Sequence, residues 1–320
     1  MTVGRTFIGG EGQHQAMPTR LRPNRLHRVF DTSVWLLRKR RTRGVLVLVA
    51  ALSAGVGIGI ERALSTPSRS SARTLAAQIV WNGDVSTADL SQYYYKQACP
   101  GPNPPAGVTV VNAPIRPGYA FSSQFTVSDQ SIQSHCPALG SSGHPNANIQ
   151  SPPLFSTGND LYIGFSTYFP STFPFPVCTP YVGGCWMQVM EIYGAPYKGP
   201  SPISLNVWGS HFELWNHTGT IWSSPTNITP GTWQDTVFHV HFDTSASVGF
   251  VEVWLNGVMQ TFANGSQRFY DATLQPGVNC CTTPDRLYLD QYRGANPTLG
   301  TVTLYHAAVK VATTYAAAAP

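Results

Sequence analysis

The chain has 320 residues, of which only 11% are charged and 42% hydrophobic, and its formal net charge is +5. That charge is unevenly held: residues 1–73 carry 13 Lys and Arg against three acids, net +10, and the remainder is −5. The part long enough to fold is mildly acidic, which excludes a nucleic-acid partner gripped by a basic surface.

The basic tail (1–43) ends in Arg38-Lys39-Arg40-Arg41-Thr42-Arg43 and precedes an uncharged run, 44–60, rich in Val, Leu, Ala and Gly. As a helix this run is roughly 25 Å long, the lower limit for crossing a bilayer. A hydrophobic targeting or anchor helix is expected here, either an uncleaved single-pass anchor or the core of a cleaved signal. In both cases the positive-inside rule sends the following residues out of the cytoplasm, as a secreted or membrane-anchored extracellular domain. Residues 61–76, with their Ser, Pro and Arg, read as a linker.

All six cysteines, Cys99, Cys136, Cys178, Cys185, Cys280 and Cys281, follow the apolar run. An even count in an exported domain reads as disulfides. Cys178 with Cys185 and Cys99 with Cys136 are candidate pairs, and the adjacent Cys280 and Cys281 either bond each other or reach elsewhere. No His/Cys spacing matches a zinc site. No cofactor is required, and structural calcium is an option through Asp84, Asp89 or Asp160, although no spacing specifies a site.

Residues 77–312 read as one all-β domain, with short alternating segments separated by Gly, Pro, Asn and Ser, and 313–320 as a tail. Alternation sorts the strands by face. Ile203, Leu205 and Val207 oppose Ser204, Asn206 and Trp208; Phe212 and Leu214 oppose His211, Glu213 and Trp215. Phe238, Val240 and Phe242 oppose Val237, His239 and His241; Val251, Val253 and Leu255 oppose Glu252 and Trp254. One face is apolar in every strand and belongs between two sheets. The other mixes Asn, Glu, His and Trp with almost no Lys, which suits sugar rings stacked on indoles and hydroxyls meeting amides.

Five segments in order carry a resemblance: Trp81–Tyr93; Ile115–Phe121; Asp160–Pro170 with Phe173-Pro174; Gly231–Asp235; and Val251–Gly257. Together they resemble the polysaccharide lyases of the heparin-lyase-like and glucuronan-lyase-like group. The resemblance implies a concanavalin A-like β-jelly-roll sandwich and β-elimination of a uronic-acid-containing glycan. In that chemistry Gln, Asn or Arg neutralises the carboxylate, His or Tyr takes the C5 proton, and Tyr assists the leaving oxygen. The family places Gln and His two apart on one strand. Aligned on Gly194 and Pro196, Glu191 stands at the Gln and Tyr193 at the His; aligned on Gln188, Met190 stands at the His. Asn146-Ala147-Asn148-Ile149 replaces the family's Arg-x-Glu-Leu, and Tyr288–Arg293 resembles its "Y-x-K-x-G-x-Y" strand with Asp290 near the Lys.

Candidate catalytic residues are Tyr292, Tyr193, Glu191 and His239. Candidate substrate-binding residues are Asn148, Gln188, Asn206, Trp208, Trp215, His241, Glu252, Trp254, Tyr288 and Arg293. Two other classes fit the same fold. A lectin-like surface domain needs only the Trp-lined face. A retaining glycoside hydrolase needs two carboxylates about 5–5.5 Å apart, and Glu191 would have to find its partner, Glu252 or Glu213, on another strand. The expected partners are a polysaccharide and, through the N-terminal segment, a membrane; the domain is expected to be a monomer.

Overall fold

The computed structural model describes residues 77–97, 107–129, 144–176, 185–194, 201–274, 285–294 and 299–320. The basic tail, the apolar run, the linker and every cysteine except Cys185 lie outside them. No helix among the described residues is long and apolar enough to cross a membrane. Cys185 is buried at 3% exposure and is disulfide-bonded.

The described residues form two antiparallel sheets. In chain order the strands are β1 (Ile79–Asn82), β2 (Tyr95–Gln97), β3 (Gly107–Val111), β4 (Ser122–Val127), β5 (Asn146–Gln150) and β6 (Asp160–Tyr168). They continue as β7 (Trp186–Tyr193), β8 (Ile203–Trp208), β9 (His211–Asn216), β10 (Gly219–Ser223) and β11 (Trp233–His241). The last are β12 (Phe250–Leu255), β13 (Val258–Met259), β14 (Phe269–Tyr270), β15 (Arg286–Arg293) and β16 (Val302–Ala312). A seven-stranded sheet runs β10-β9-β8-β7-β15-β5-β2. A nine-stranded sheet runs β13-β12-β11-β6-β16-β4-β3, with β1 also on β16 and β14 also on β12. Antiparallel pairing leaves one side of each sheet to bury and one to present to solvent.

The alternation read from the sequence sets the core. Ile203, Leu205, Val207, Phe212 and Leu214 of the smaller sheet meet Phe238, Val240, Val251 and Val253 of the larger one in a single buried cluster. Local turn chemistry agrees with the register: Leu255 pairs with Val258 across Asn256 and Gly257, whose φ values of 50° and 80° make the tight hairpin turn that this residue pair favours. His306 is a polar group that reaches from one sheet to the other. His306 of β16 meets Thr167 Oγ1 at 3.1 Å, and its Nε2 approaches the Asp290 carbonyl of the other sheet at 3.5 Å. Burial pushes this imidazole down to about 4, so it stays neutral between the sheets.

The segment after β16 is not a tail. Thr314 caps a short helix, α1 (Tyr315–Ala318), its hydroxyl accepting from the Ala317 amide. The helix lies on the outer face of the nine-stranded sheet, where Ala318 packs with Val237 and Ala312, and Tyr315 stands 5.1 Å from Trp254. Gly164 of β6 makes this close approach feasible, since a Cβ there would collide with the Ala318 carbonyl. Gly164→Ala is therefore expected to lift α1 and cost about 1–3 kcal/mol, read as a lower denaturation midpoint with unchanged β-sheet circular dichroism.

Candidate active site

Two irregularities in the smaller sheet decide which side chains meet. Gln188 of β7 pairs with Asn206 of β8, but the next rung is Met190 with Leu205, so Val189 is a bulge. The extra residue resets the alternation. Trp186, Gln188, Glu191 and Tyr193 share the outer face, while Met187, Met190 and Ile192 stay in the core. A second shift falls between Leu289 and Tyr292 where β15 pairs with β7, yet β15 runs in unbroken register with β5. Arg286, Tyr288, Asp290 and Tyr292 thus stand on the same outer face as Asn146, Asn148 and Gln150.

At the centre, Gln188 Nε2 donates to Asp290 Oδ2 at 3.0 Å, and the Gln188 side chain also hydrogen-bonds Glu191. Two carboxyl groups therefore share one amide. Burial pushes Glu191 up to about 7, the bond from Gln188 opposing it. Asp290 is raised well above the ordinary carboxylate range by burial and then by Glu191 beside it. Two carboxyls this close resist being ionised together, so their titrations are linked. Tyr288, cross-strand from Glu191, is raised first by burial and then by both carboxylates, which keeps its phenol protonated.

Aromatic rings frame this centre. Tyr193 stands edge-on to Tyr288 at 5.9 Å, and Trp186 edge-on to Tyr292 at 4.9 Å. His144 contacts both Trp186 and Tyr292, at 5.6 and 5.9 Å. Trp186 pairs with Trp208, whose ring lies 5.8 Å from that of Trp215, so three successive strands each bring an indole to this face. The Trp215 N–H donates to Glu213 at 2.7 Å, fixing its ring. A cavity of about 130 Å³ opens beside Gln188, lined also by Trp186, Ser204, Asn206 and Trp215.

The structure brings together Gln188, Glu191, Tyr193, Asn148, Asn206, Trp208, Trp215, Tyr288 and Tyr292. It separates four others. His239, His241, Glu252 and Trp254 belong to β11 and β12 of the nine-stranded sheet, across the core from Glu191. His239 has Nδ1 on Glu252 at 2.7 Å and Nε2 on Asp160, so neither ring nitrogen is left to take a substrate proton. His241 Nδ1 meets the same Asp160 at 3.4 Å, and Arg268 completes the chain on Glu252 at 2.7 Å. Trp254 packs under α1 instead of offering a stacking platform. Arg293 is also corrected: it falls on the inner side of β15, fully buried, with Nη2 on Asp129 at 2.6 Å and on the Gly300 carbonyl at 2.9 Å.

Sequence reasoning missed Asp290, Trp186 and Arg286 as site residues. Parity with Tyr288 and Tyr292 already puts Asp290 on their face, and it adds Arg286 once β15 is started two residues earlier. Among the described residues no group of three or more His, Cys, Asp or Glu is placed to hold a metal ion. Asp89 is taken up by Thr87 and Ser91, and Asp160 by the two histidines.

The family model described as polysaccharide lyase matches residues 83–276. No curated protein matches the sequence. Among solved structures, an endo-β-1,4-glucuronan lyase from the fungus Trichoderma reesei is similar, with a TM-score of 0.55 at 13% identity, covering 76% of this chain and 99% of that one. An alginate lyase from Corynebacterium sp. gives 0.46 at 12% identity, over 72% and 98% of the two chains. An alginate lyase from Pseudomonas aeruginosa gives 0.43 at 11%, over 70% and 98%. The first of these likenesses carries the fold, a β-jelly-roll sandwich.

Proposed function

We propose that this chain, which belongs to the polysaccharide lyase family, opens a uronic-acid-containing glycan by β-elimination on the outer face of its seven-stranded sheet. The observation that supports this most is the convergence of Gln188, Glu191, Asp290 and Tyr288 on two adjacent strands, flanked by a row of indoles. A general base works best when its pKa lies near the working pH, and the raised Glu191 carboxyl is such a base. Ionised Glu191 takes the C5 proton, the electron pair forms the C4–C5 double bond, and the bond from C4 to the leaving oxygen breaks. Tyr288, kept protonated by its surroundings, delivers a proton to that oxygen. Asn148 and Asn206 offer amides to the substrate, and Trp186, Trp208 and Trp215 give its rings apolar faces.

Export belongs to the same reading: the basic run 38–43 followed by the apolar run 44–60 supports an extracellular domain, tethered or released, in which the cysteines oxidise. A non-catalytic carbohydrate-binding domain is the second reading, favoured by the indole row alone.

The test is incubation with glucuronan, alginate, heparin-like and pectic chains, following the ultraviolet absorbance of the unsaturated product. Product from one of them, lowered roughly a hundredfold by Tyr288→Phe, is the expected result. Retention on a polysaccharide without any product would move the reading to the binding domain.

A further inference from the structure

Of the four arginines among the described residues, Arg116, Arg268 and Arg293 are each paired with a carboxylate. Arg286 is not. Its guanidinium carbon lies 4.2 Å over the ring of Tyr94, which is 65% exposed, and its buried Nε has no hydrogen-bond partner among the described residues. Arg286 stands on the outer face, cross-strand from Tyr193 and two residues from Tyr288, whose phenol feels its charge. Among the described strands of this sheet it is the one Arg or Lys that register places on that face. Next along β15, toward the centre, come the acid pair and its shared amide.

This is an uneven charge layout. The centre carries two carboxyl groups and, among the described residues, no Arg or Lys of its own. Two residues along β15 from Tyr288, a planar fork with five N–H donors lies over an aromatic shelf and has no anionic partner among the described residues. An arginine left unpaired in this way is preorganised for a planar anion, because stacking has already restricted its rotamers.

We propose that Arg286, shelved on Tyr94, is a subsite for the carboxylate of a sugar neighbouring the one that reacts, so that the site selects glycans bearing free carboxylates on adjacent residues. The inference rests on the polysaccharide reading above and adds to it a residue that sets specificity. Arg286 acts on binding, not on bond breaking.

The experiment compares the full chain with Arg286→Gln and Tyr94→Leu on two probes, polyglucuronate and its methyl ester. Arg286→Gln is expected to raise KM for the free acid about tenfold or more, the loss of a charged hydrogen bond, with kcat little changed and the ester unaffected. Tyr94→Leu, a change at an exposed ring that cannot unfold the sheet, is expected to give a smaller rise in the same direction. Equal effects on acid and ester, or none, would overturn the proposal. Affinity electrophoresis in gels containing each probe separates its failure from that of the lyase reading. If the chain cleaves neither polymer, yet the free acid retards it and retards Arg286→Gln less, the subsite stands while catalysis does not. Equal retardation of both chains removes the subsite.

Discussion

Glu191→Gln is expected to lower turnover by about 10²–10⁴-fold, the span of a positioned general base, with KM changed far less. The substitution keeps the shape of the side chain and its contact with Gln188, so lost activity reports lost proton transfer. The accompanying pH profile has a fixed sign. As the proposed base, Glu191 would act in its ionised form, so kcat/KM is expected to rise as pH passes upward through about 7. Stability runs the other way. A carboxyl whose folded value is raised from 4.5 to about 7 binds its proton more tightly in the folded state. Its contribution is complete below the unfolded value and is lost as pH climbs through about 7. Asp285, raised by burial to about 6, adds to the same slope. His306 opposes it from the acid side, costing stability as pH falls from 6.5 toward about 4. The denaturation midpoint should therefore peak in weak acid while activity peaks above neutrality, and Glu191→Gln should flatten the upper limb of the stability curve. An unchanged pH–rate profile in the variant would remove Glu191 from the base role.

Arg293→Met is expected to destabilise the domain by about 3 kcal/mol or more, because removing one partner of a buried ion pair strands the other. Arg293 is fully buried, and its partner Asp129 is 21% exposed, so little water is at hand to replace the guanidinium. The same hydrogen bonds tie the end of β15 to the Gly300 carbonyl and, through Asp129, to the Gly300 amide. Urea denaturation checks this directly, and Asp129→Asn in the Met background should recover part of the loss. Arg286→Gln, a few residues away on the opposite face, should leave the midpoint nearly unchanged. A stable Arg293→Met chain with weakened polysaccharide binding would reverse the assignment of both arginines.

These two arginines also mark how far the chain could be read in advance. Period-two alternation placed Ile203, Leu205 and Val207 in the core, and Ser204, Asn206 and Trp208 outside it, as found. It also put Glu191 and Tyr193 on one face. Alternation is local, however, and does not say which sheet a strand joins. His239 and Glu191 both lie on outer faces, but of different sheets, because β11 pairs with β6 and β12 whereas β7 pairs with β8 and β15. Nor does it register an inserted residue. Gln188 and Glu191 are three apart and would be assigned opposite faces were it not for the bulge at Val189. Parity puts Asp290 on the face of Tyr288 and Tyr292, but its contact with Gln188 crosses a strand boundary and is not legible in alternation. The four-residue helix after Thr314 is too short to show a period, and only its cap was there to be seen.

The paired irregularities have a consequence for any linear molecule laid over this face. Between the same two rungs, β8 spends one residue step from Asn206 to Leu205 and β7 spends two, from Gln188 to Met190. On β15 and β5 the interval has grown to three, from Tyr292 to Leu289 and from Asn146 to Ile149. The extra residues are absorbed as bulges, which bend these strands and sharpen their local twist. A sugar polymer has a reducing and a non-reducing end, and a face bent from one side only does not meet both orientations alike. The bulges give the face a polarity of its own, written in the backbone before any side chain is considered.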